Sequence, residues 1–272
     1  MSVNLASRVP LPAPVLRALD LGVSLAGRSV LRDVTATVAA GETIALVGAN
    51  GAGKTTLLRA VAGLIPHAGT LELHGRPVAD WPAKARARQV ALVRQQADLA
   101  VDFTAREIVA LGRAPWLGWT ERLPSADRQR VDAALAALDL TALADRPVTR
   151  LSGGEQQRVA LAQAVAQDAP LVLLDEPTAH LDVRHQLDLA ERIAGLATAG
   201  KTVVAAIHDL ALAARVAARV WVLAQGTLVA DGSPRAVLTP RLLREAFGVE
   251  AEVEAQGEGL DIRYLRSVPP DA

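Results

Sequence analysis

Residues 48–56 read GANGAGKTT, and the fold follows from how this stretch is read. Glycine costs backbone entropy, so a loop this loose is kept where the backbone itself must meet something. Gly48, Gly53, Lys54 and Thr55 fit the phosphate-loop pattern G-x-x-x-x-G-K-[ST], with Ala49, Asn50, Gly51 and Ala52 as its four variable positions and Thr56 just behind. The apolar run ETIALVG before it reads as a buried strand and TTLLRAVAGL after it as a helix, the context the pattern requires. Backbone N–H groups around Gly51, Ala52 and Gly53 can turn inward as a nest for phosphate oxygens. The helix starting near Lys54 adds its dipole and its unpaired donors. Lys54 is then expected to reach the β- and γ-phosphates of a nucleotide, and Thr55 to ligate Mg²⁺. A glycine-rich turn with a chance lysine is the bland alternative, and the flanking strand and helix disfavour it.

The chain has 272 residues, enough for one large domain or two smaller ones. Lys plus Arg number 29 and Asp plus Glu 29, so no net basic field points to nucleic acid or an anionic membrane surface. Without cysteine there is no disulfide framework, thiolate metal site or cysteine nucleophile. Residues 1–14 lack the apolar core of a signal peptide. The most apolar stretch, 202–224, is broken by His208, Asp209, Arg215 and Arg219, so it does not read as a spanning helix. A soluble, cytoplasmic protein is expected.

Working outward from the loop, residues 15–25 and 30–42 read as an antiparallel pair turning at Ala26-Gly27-Arg28. GTLELHG (69–75) alternates as a strand, and VALVRQ (90–95) reads as a buried one. Residues 104–149 look mostly helical, with Ser125 expected to cap a helix and Asp127 to favour its first turn. From 154 helices and strands alternate down to RVWVLAQG (219–226), which argues for a parallel α/β sheet. The tail from 234 starts helical and ends in weaker strand-like pieces.

Two further stretches carry chemistry. LVLLDEP (171–177) is an apolar strand ending in two carboxylates, as at the ligand-binding edge of an open α/β sheet. Asp175 is placed to hold Mg²⁺ directly or through water. Glu176 is placed to deprotonate a water attacking the γ-phosphate. In LSGGEQQR (151–158), Ser152 can cap the helix that follows, and Gly153 and Gly154 leave donors at its start. Read alone, that stretch is as well explained as a capped helix.

The order phosphate loop, LSGGEQQR, LVLLDEP resembles the ATP-binding subunits of ABC transporters, from about residue 15 to 250. The resemblance implies an α/β fold: a P-loop NTPase core of ABC type with a mixed sheet, an antiparallel β subdomain and a helical subdomain at about 95–165. Residues 251–272 are left as a C-terminal tail. Gln95 is identified with the glutamine that senses Mg²⁺ and the attacking water, although adjacent Gln96 keeps the register open. Asp182, ending TAHLD, resembles the D-loop aspartate, and His208 the switch histidine beside the γ-phosphate. Leu151, Ser152, Gly153, Gly154 and Glu155 form the signature, expected to close over ATP on a second copy. Where the family usually stacks an aromatic on adenine, this chain has Leu25, with Val30 as further apolar contact.

That resemblance implies ATP and Mg²⁺ as ligands, a homodimer of ATPase subunits, membrane-spanning permease subunits and, indirectly, a substrate-binding protein, with no nucleic acid. It places the chain peripherally on the cytoplasmic face of a membrane. LGRAPW (111–116), TAHLDVRHQ (178–186) and HDLALAARVAARVWVLAQG (208–226) are similar to the importers of iron-siderophores, haem and cobalamin. An importer for another metal or small solute would keep the same motifs. A soluble ATPase of this family acting on nucleic acid or ribosomes would carry coiled-coil insertions or a second ATPase module, and neither is present.

Overall fold

The computed structural model describes residues 14–94, 102–118, 122–179, 181–257 and 259–268. Strands β1 (Leu16–Leu25), β2 (Arg28–Val38), β4 (Ala68–Leu73) and the two-residue β5 (Arg76–Pro77) form an antiparallel sheet in the order β2-β1-β4-β5. Between β1 and β2 only Ala26 and Gly27 turn, at φ 48° and 79°, the positive pair that matches strand twist in a two-residue hairpin. Arg28, expected in the turn, instead pairs with Leu25 inside the ladder.

The second sheet has six strands in the order β10-β9-β3-β8-β7-β6. They are β3 (Thr43–Val47), β6 (Val90–Val93), β7 (Leu171–Asp175), β8 (Thr202–Ala206), β9 (Arg219–Ala224) and β10 (Thr227–Gly232). Neighbours from β9 to β6 are parallel, and β10 adds an antiparallel edge. Residues of β3, β7 and β8 are buried throughout, as expected of parallel strands covered on both faces. Their period of two splits the apolar side chains between two cores. Ile44, Leu46, Leu171, Leu173, Val204, Trp221 and Leu223 join the antiparallel sheet and helix α1 (Lys54–Val61). Ala45, Val47, Val172, Leu174, Val203, Ala205, Val220 and Val222 face the other way, into a core shared with the remaining long helices.

Those helices are α3 (Ala105–Leu111), α4 (Ser125–Ala137), α5 (Gly153–Gln167), α6 (Val183–Thr198) and α7 (Leu210–Val216), with a short α2 (Ala83–Ala87) before β6. Ser125 is the first residue of α4 rather than its cap. Proline at 124 takes the capping position without a side-chain bond, and Asp127 of the first turn pairs with Arg113 at 2.8 Å. After α8 (Pro234–Val237) and α9 (Pro240–Phe247), the chain closes in a hairpin of β11 (Val249–Gln256) and β12 (Gly259–Ser267). Ala251 and Leu260 of this hairpin are buried in the α7-side core, so the boundary read at residue 250 falls within β11. Among the described residues no helix is long and apolar enough to cross a membrane.

Candidate nucleotide site

Parallel pairing brings the carboxyl ends of β3, β7 and β8 side by side, with Leu46 and Asp175 both registered on Ala206. The segments leaving these three strands therefore converge: the 48–56 loop after β3, Glu176 after β7 and His208 after β8. The loop is held close. A Cβ on Gly48 would lie 2.3 Å from the Leu223 carbonyl oxygen, so no side chain fits there. Gly53 caps α1 at φ 106°, a conformation that other residues rarely adopt.

Inside this frame the side chains are committed to one another. The Lys54 ammonium, buried to 5 % exposure, donates to the carbonyls of Gly48 at 2.8 Å and Ala49 at 3.3 Å. It also lies 4.0 Å from Glu176 Oε1. Burial pushes its pKa below the ordinary lysine value, against the opposing pull of Glu176 and Asp175. The Thr55 hydroxyl donates to Asp175 Oδ1 at 2.9 Å. Asp175 is 4 % exposed, and burial pushes its carboxyl above the usual carboxylate range although the Thr55 bond pulls the other way. Glu176 stands at φ 52°, an uncommon conformation for a non-glycine residue, its N–H bonded to the Ala206 carbonyl at 3.2 Å. That backbone turn aims its carboxylate at His208, with Oε1 and Nε2 2.6 Å apart.

A cavity of about 260 Å³ opens over these groups. Asn50, Gly51, Ala52, Gly53, Lys54, Thr55 and Thr56 form its floor, Glu176 one wall, and Leu25 with Val30 another. The β1–β2 turn thus puts Leu25, 38 % exposed, beside the phosphate loop. A larger hollow of about 580 Å³ lies between α6, α7 and the terminal hairpin. Its one lining carboxylate among the described residues, Asp209, already caps α7 by accepting from Leu212 N at 2.9 Å. Arg215 lines it as well, and none of its described lining residues belongs to the 48–56 loop.

Mg²⁺ can be tested against the donors present. Among the described residues no group of three or more His, Asp or Glu side chains gathers as a cage. A hydroxyl and a buried carboxylate in contact, Thr55 and Asp175, suit a cation that keeps its waters and takes its other ligands from phosphates. The residues fit. Gln95, the third expected ligand, lies outside the described residues.

The signature residues do not line this cavity. Ser152 caps α5 through a reciprocal box: its Oγ accepts from Glu155 N at 3.3 Å, and Glu155 accepts from Ser152 N at 2.7 Å and Oγ at 2.9 Å. Those bonds hold the Glu155 carboxyl below its usual value. Ser152 and Gly153 are exposed while Leu151 is buried, so the helix start faces outward. Asp182 caps α6 and meets His185, accepting from its N–H at 2.9 Å with Nδ1 at 2.7 Å. His185 escaped the sequence reading, although an acid three residues ahead of it at a helix start was the available signal. The commitment of Lys54 to loop carbonyls had no such signal.

The chain is similar to known proteins over most of its length. Residues 31–179 match the family described as ABC transporter. A protein of Nocardia farcinica (strain IFM 10152) named Hemin import ATP-binding protein HmuV is 50 % identical over 246 residues, covering 88 % of this chain and 84 % of that one. Cobalamin import ATP-binding protein BtuD of Halobacterium salinarum (strain ATCC 29341 / DSM 671 / R1) is 47 % identical over 240 residues, covering 88 % of this chain and 60 % of the relative. Among solved structures, a chain from an inward-facing metal-chelate type ABC transporter superposes with a TM-score of 0.80 at 26 % identity. It covers 93 % of this chain and 97 % of that one.

Proposed function

The chain belongs to the ABC transporter family, and on that premise we propose that two copies close head to tail over two molecules of ATP and drive the import of haem. As an ATP-hydrolysing importer subunit it works with membrane-spanning permease subunits and is held peripherally at the membrane. We place it on the cytoplasmic face, with a substrate-binding protein delivering cargo to the far side. The observation that carries the ATPase reading is the convergence of Thr55 with Asp175 and of Glu176 with His208 around Lys54.

In this reading the loop N–H groups cradle the triphosphate, and Lys54 leaves the carbonyls of Gly48 and Ala49 for the β- and γ-phosphate oxygens. Its burial makes the exchange favourable, because a partly desolvated ammonium gains more from phosphate charge than from two neutral acceptors. Glu176 takes the proton of the attacking water, and His208 holds that carboxylate in line and contacts the γ-phosphate. Thr55 and Asp175 would hold Mg²⁺, which would supply charge neutralisation to the phosphates. Ser152, Gly153 and Gly154 serve the nucleotide of the other copy, in keeping with the exposure of Ser152 and Gly153.

Haem as cargo is supported by the 50 % identity to the hemin import protein, and cobalamin by the 47 % identity to the cobalamin import protein. The test is to delete the gene in its host and follow uptake of labelled haem, cobalamin and an iron chelate separately. Loss of haem uptake alone is the expected result. Normal uptake of haem in a host without a second copy contradicts the cargo assignment, and loss of cobalamin uptake alone replaces it.

A further inference from the structure

The stretch LGRAPW (111–116) has no part in the cavity, yet Gly112, Arg113 and Trp116 within it are held against the end of α5. Gly112 ends α3 against the backbone of α5, where a Cβ would lie 2.3 Å from the Gln163 carbonyl oxygen. This close approach lets Arg113, 4 % exposed, reach the Ala166 carbonyl at 2.7 Å while pairing with Asp127 at 2.8 Å. Trp116 follows and donates from Nε1 to the Gln167 carbonyl at 2.8 Å. Two guanidinium groups lie over its ring, that of Arg88 at 4.9 Å and that of Arg113 at 5.1 Å.

Arg88 belongs to the sheet side, just after α2, and its Nε donates to the Pro115 carbonyl at 2.8 Å. The Gln167 side chain completes the link by donating to the carbonyls of Ala87 at 2.5 Å and Val90 at 3.0 Å. The last residue of α5 is therefore fastened to the first residue of β6, and β6 pairs with β7 up to Val93 and Leu174, next to Asp175. The other end of the same helix is the signature start at Ser152.

We propose that Trp116, Gln167, Arg88 and Arg113 form a latch fixing α5 against β6, and that they are positioning residues for ATP turnover. The inference rests on the head-to-tail reading above, in which the start of α5 must meet the nucleotide of a second copy. At about 1.5 Å per residue the helix is a lever of about 22 Å, so a slack of about 3° at Gln167 moves Ser152 by about 1 Å. A misplacement of that size is enough to cost a large part of turnover while leaving binding on the phosphate loop intact.

Steady-state MgATP hydrolysis by the purified full chain, read as kcat and KM over a range of protein concentrations, tests this. Trp116→Ala and Gln167→Ala are expected to lower kcat about tenfold or more with KM held within about twofold. Trp116→Phe keeps an aromatic face for both guanidinium groups but loses the Nε1 bond to Gln167, so its kcat is expected to fall between those of Trp116→Ala and wild type. A KM held within about twofold shows that the phosphate loop still folds and binds. Wild-type kcat in both alanine variants, KM rising in step with the loss, or a Trp116→Phe kcat no higher than that of Trp116→Ala overturns the latch. Wild-type turnover strictly proportional to protein concentration, from protein that light scattering shows to stay monomeric in MgATP, would contradict the head-to-tail reading and the latch with it. Steeper-than-proportional wild-type turnover with unaltered variants would overturn the latch alone.

Discussion

Oε1 of Glu176 faces two nitrogens at once: His208 Nε2 at 2.6 Å and the Lys54 ammonium at 4.0 Å. The carboxylate is thus braced from one side by the residue after β8 and from the other by the loop after β3, with its own backbone at φ 52°. A side chain held this way suits proton transfer, because orientation is fixed before substrate arrives.

Glu176→Gln keeps shape and the neighbouring Asp175 while removing the base. Hydrolysis should fall by about 100-fold or more with ATP affinity retained. His208→Ala leaves the carboxylate present but unbraced, and a loss of at least about tenfold is expected. Phosphate-release kinetics on both proteins decide the assignment, and wild-type turnover in Glu176→Gln refutes it.

Lys54→Ala removes the side-chain cation of the loop. ATP affinity should drop at least about tenfold, and hydrolysis by about 100-fold or more, as charge stabilisation at the γ-phosphate is lost. Folding without nucleotide should be little affected, because a partly desolvated charge is removed along with its two carbonyl contacts. Calorimetry with and without ATP separates the two effects. A strongly destabilised protein without nucleotide would show that Lys54 is structural.

Asp175 gives a pH dependence with a definite sign. Its folded pKa is raised by burial, so the folded state holds the proton more tightly than the unfolded chain. The corresponding stability is fully present below the ordinary carboxylate pKa and is lost as pH rises through the raised folded value. Asp175→Asn should therefore stabilise the nucleotide-free protein at neutral pH, by on the order of 1 kcal/mol, and flatten that part of the profile. Denaturant melts from acid to neutral pH provide the check. An unchanged slope would mean that Asp175 does not titrate differently in the fold.

The floor of the smaller cavity was legible in the sequence because the loop pattern, the buried strand before it and the helix after it are local in the chain. Period-two alternation likewise announced β1, β2 and β4, and short apolar runs announced β3, β7 and β8. What stayed hidden depends on long-range contact. The Gln167 bonds to Ala87 and Val90 span 80 and 77 residues, and no local pattern encodes them. The left-handed backbone of Glu176 follows from the strand end and not from its residue type. The final hairpin does carry the alternation, Val249, Ala251, Val253 and Ala255 in β11 and Leu260, Ile262 and Tyr264 in β12. Two of these are alanines and most side chains of both strands stay exposed, so its apolar face is weak.

Leu25 tests the missing aromatic. It and Val30 border the cavity as aliphatic surface, which offers less to a purine face than a ring does. Leu25→Tyr should tighten ATP binding by up to about 1 kcal/mol. Titration calorimetry with ATP is the readout. Unchanged affinity in a folded variant would mean that another group already covers the base.

The central claim is that half of each catalytic site comes from a second copy, and trapping that pair tests it most directly. Glu176→Gln protein with MgATP, run by size exclusion with light scattering, should pass from monomer to dimer, with two ATP recovered per dimer. A chain that binds ATP yet remains monomeric at every nucleotide and protein concentration would contradict it.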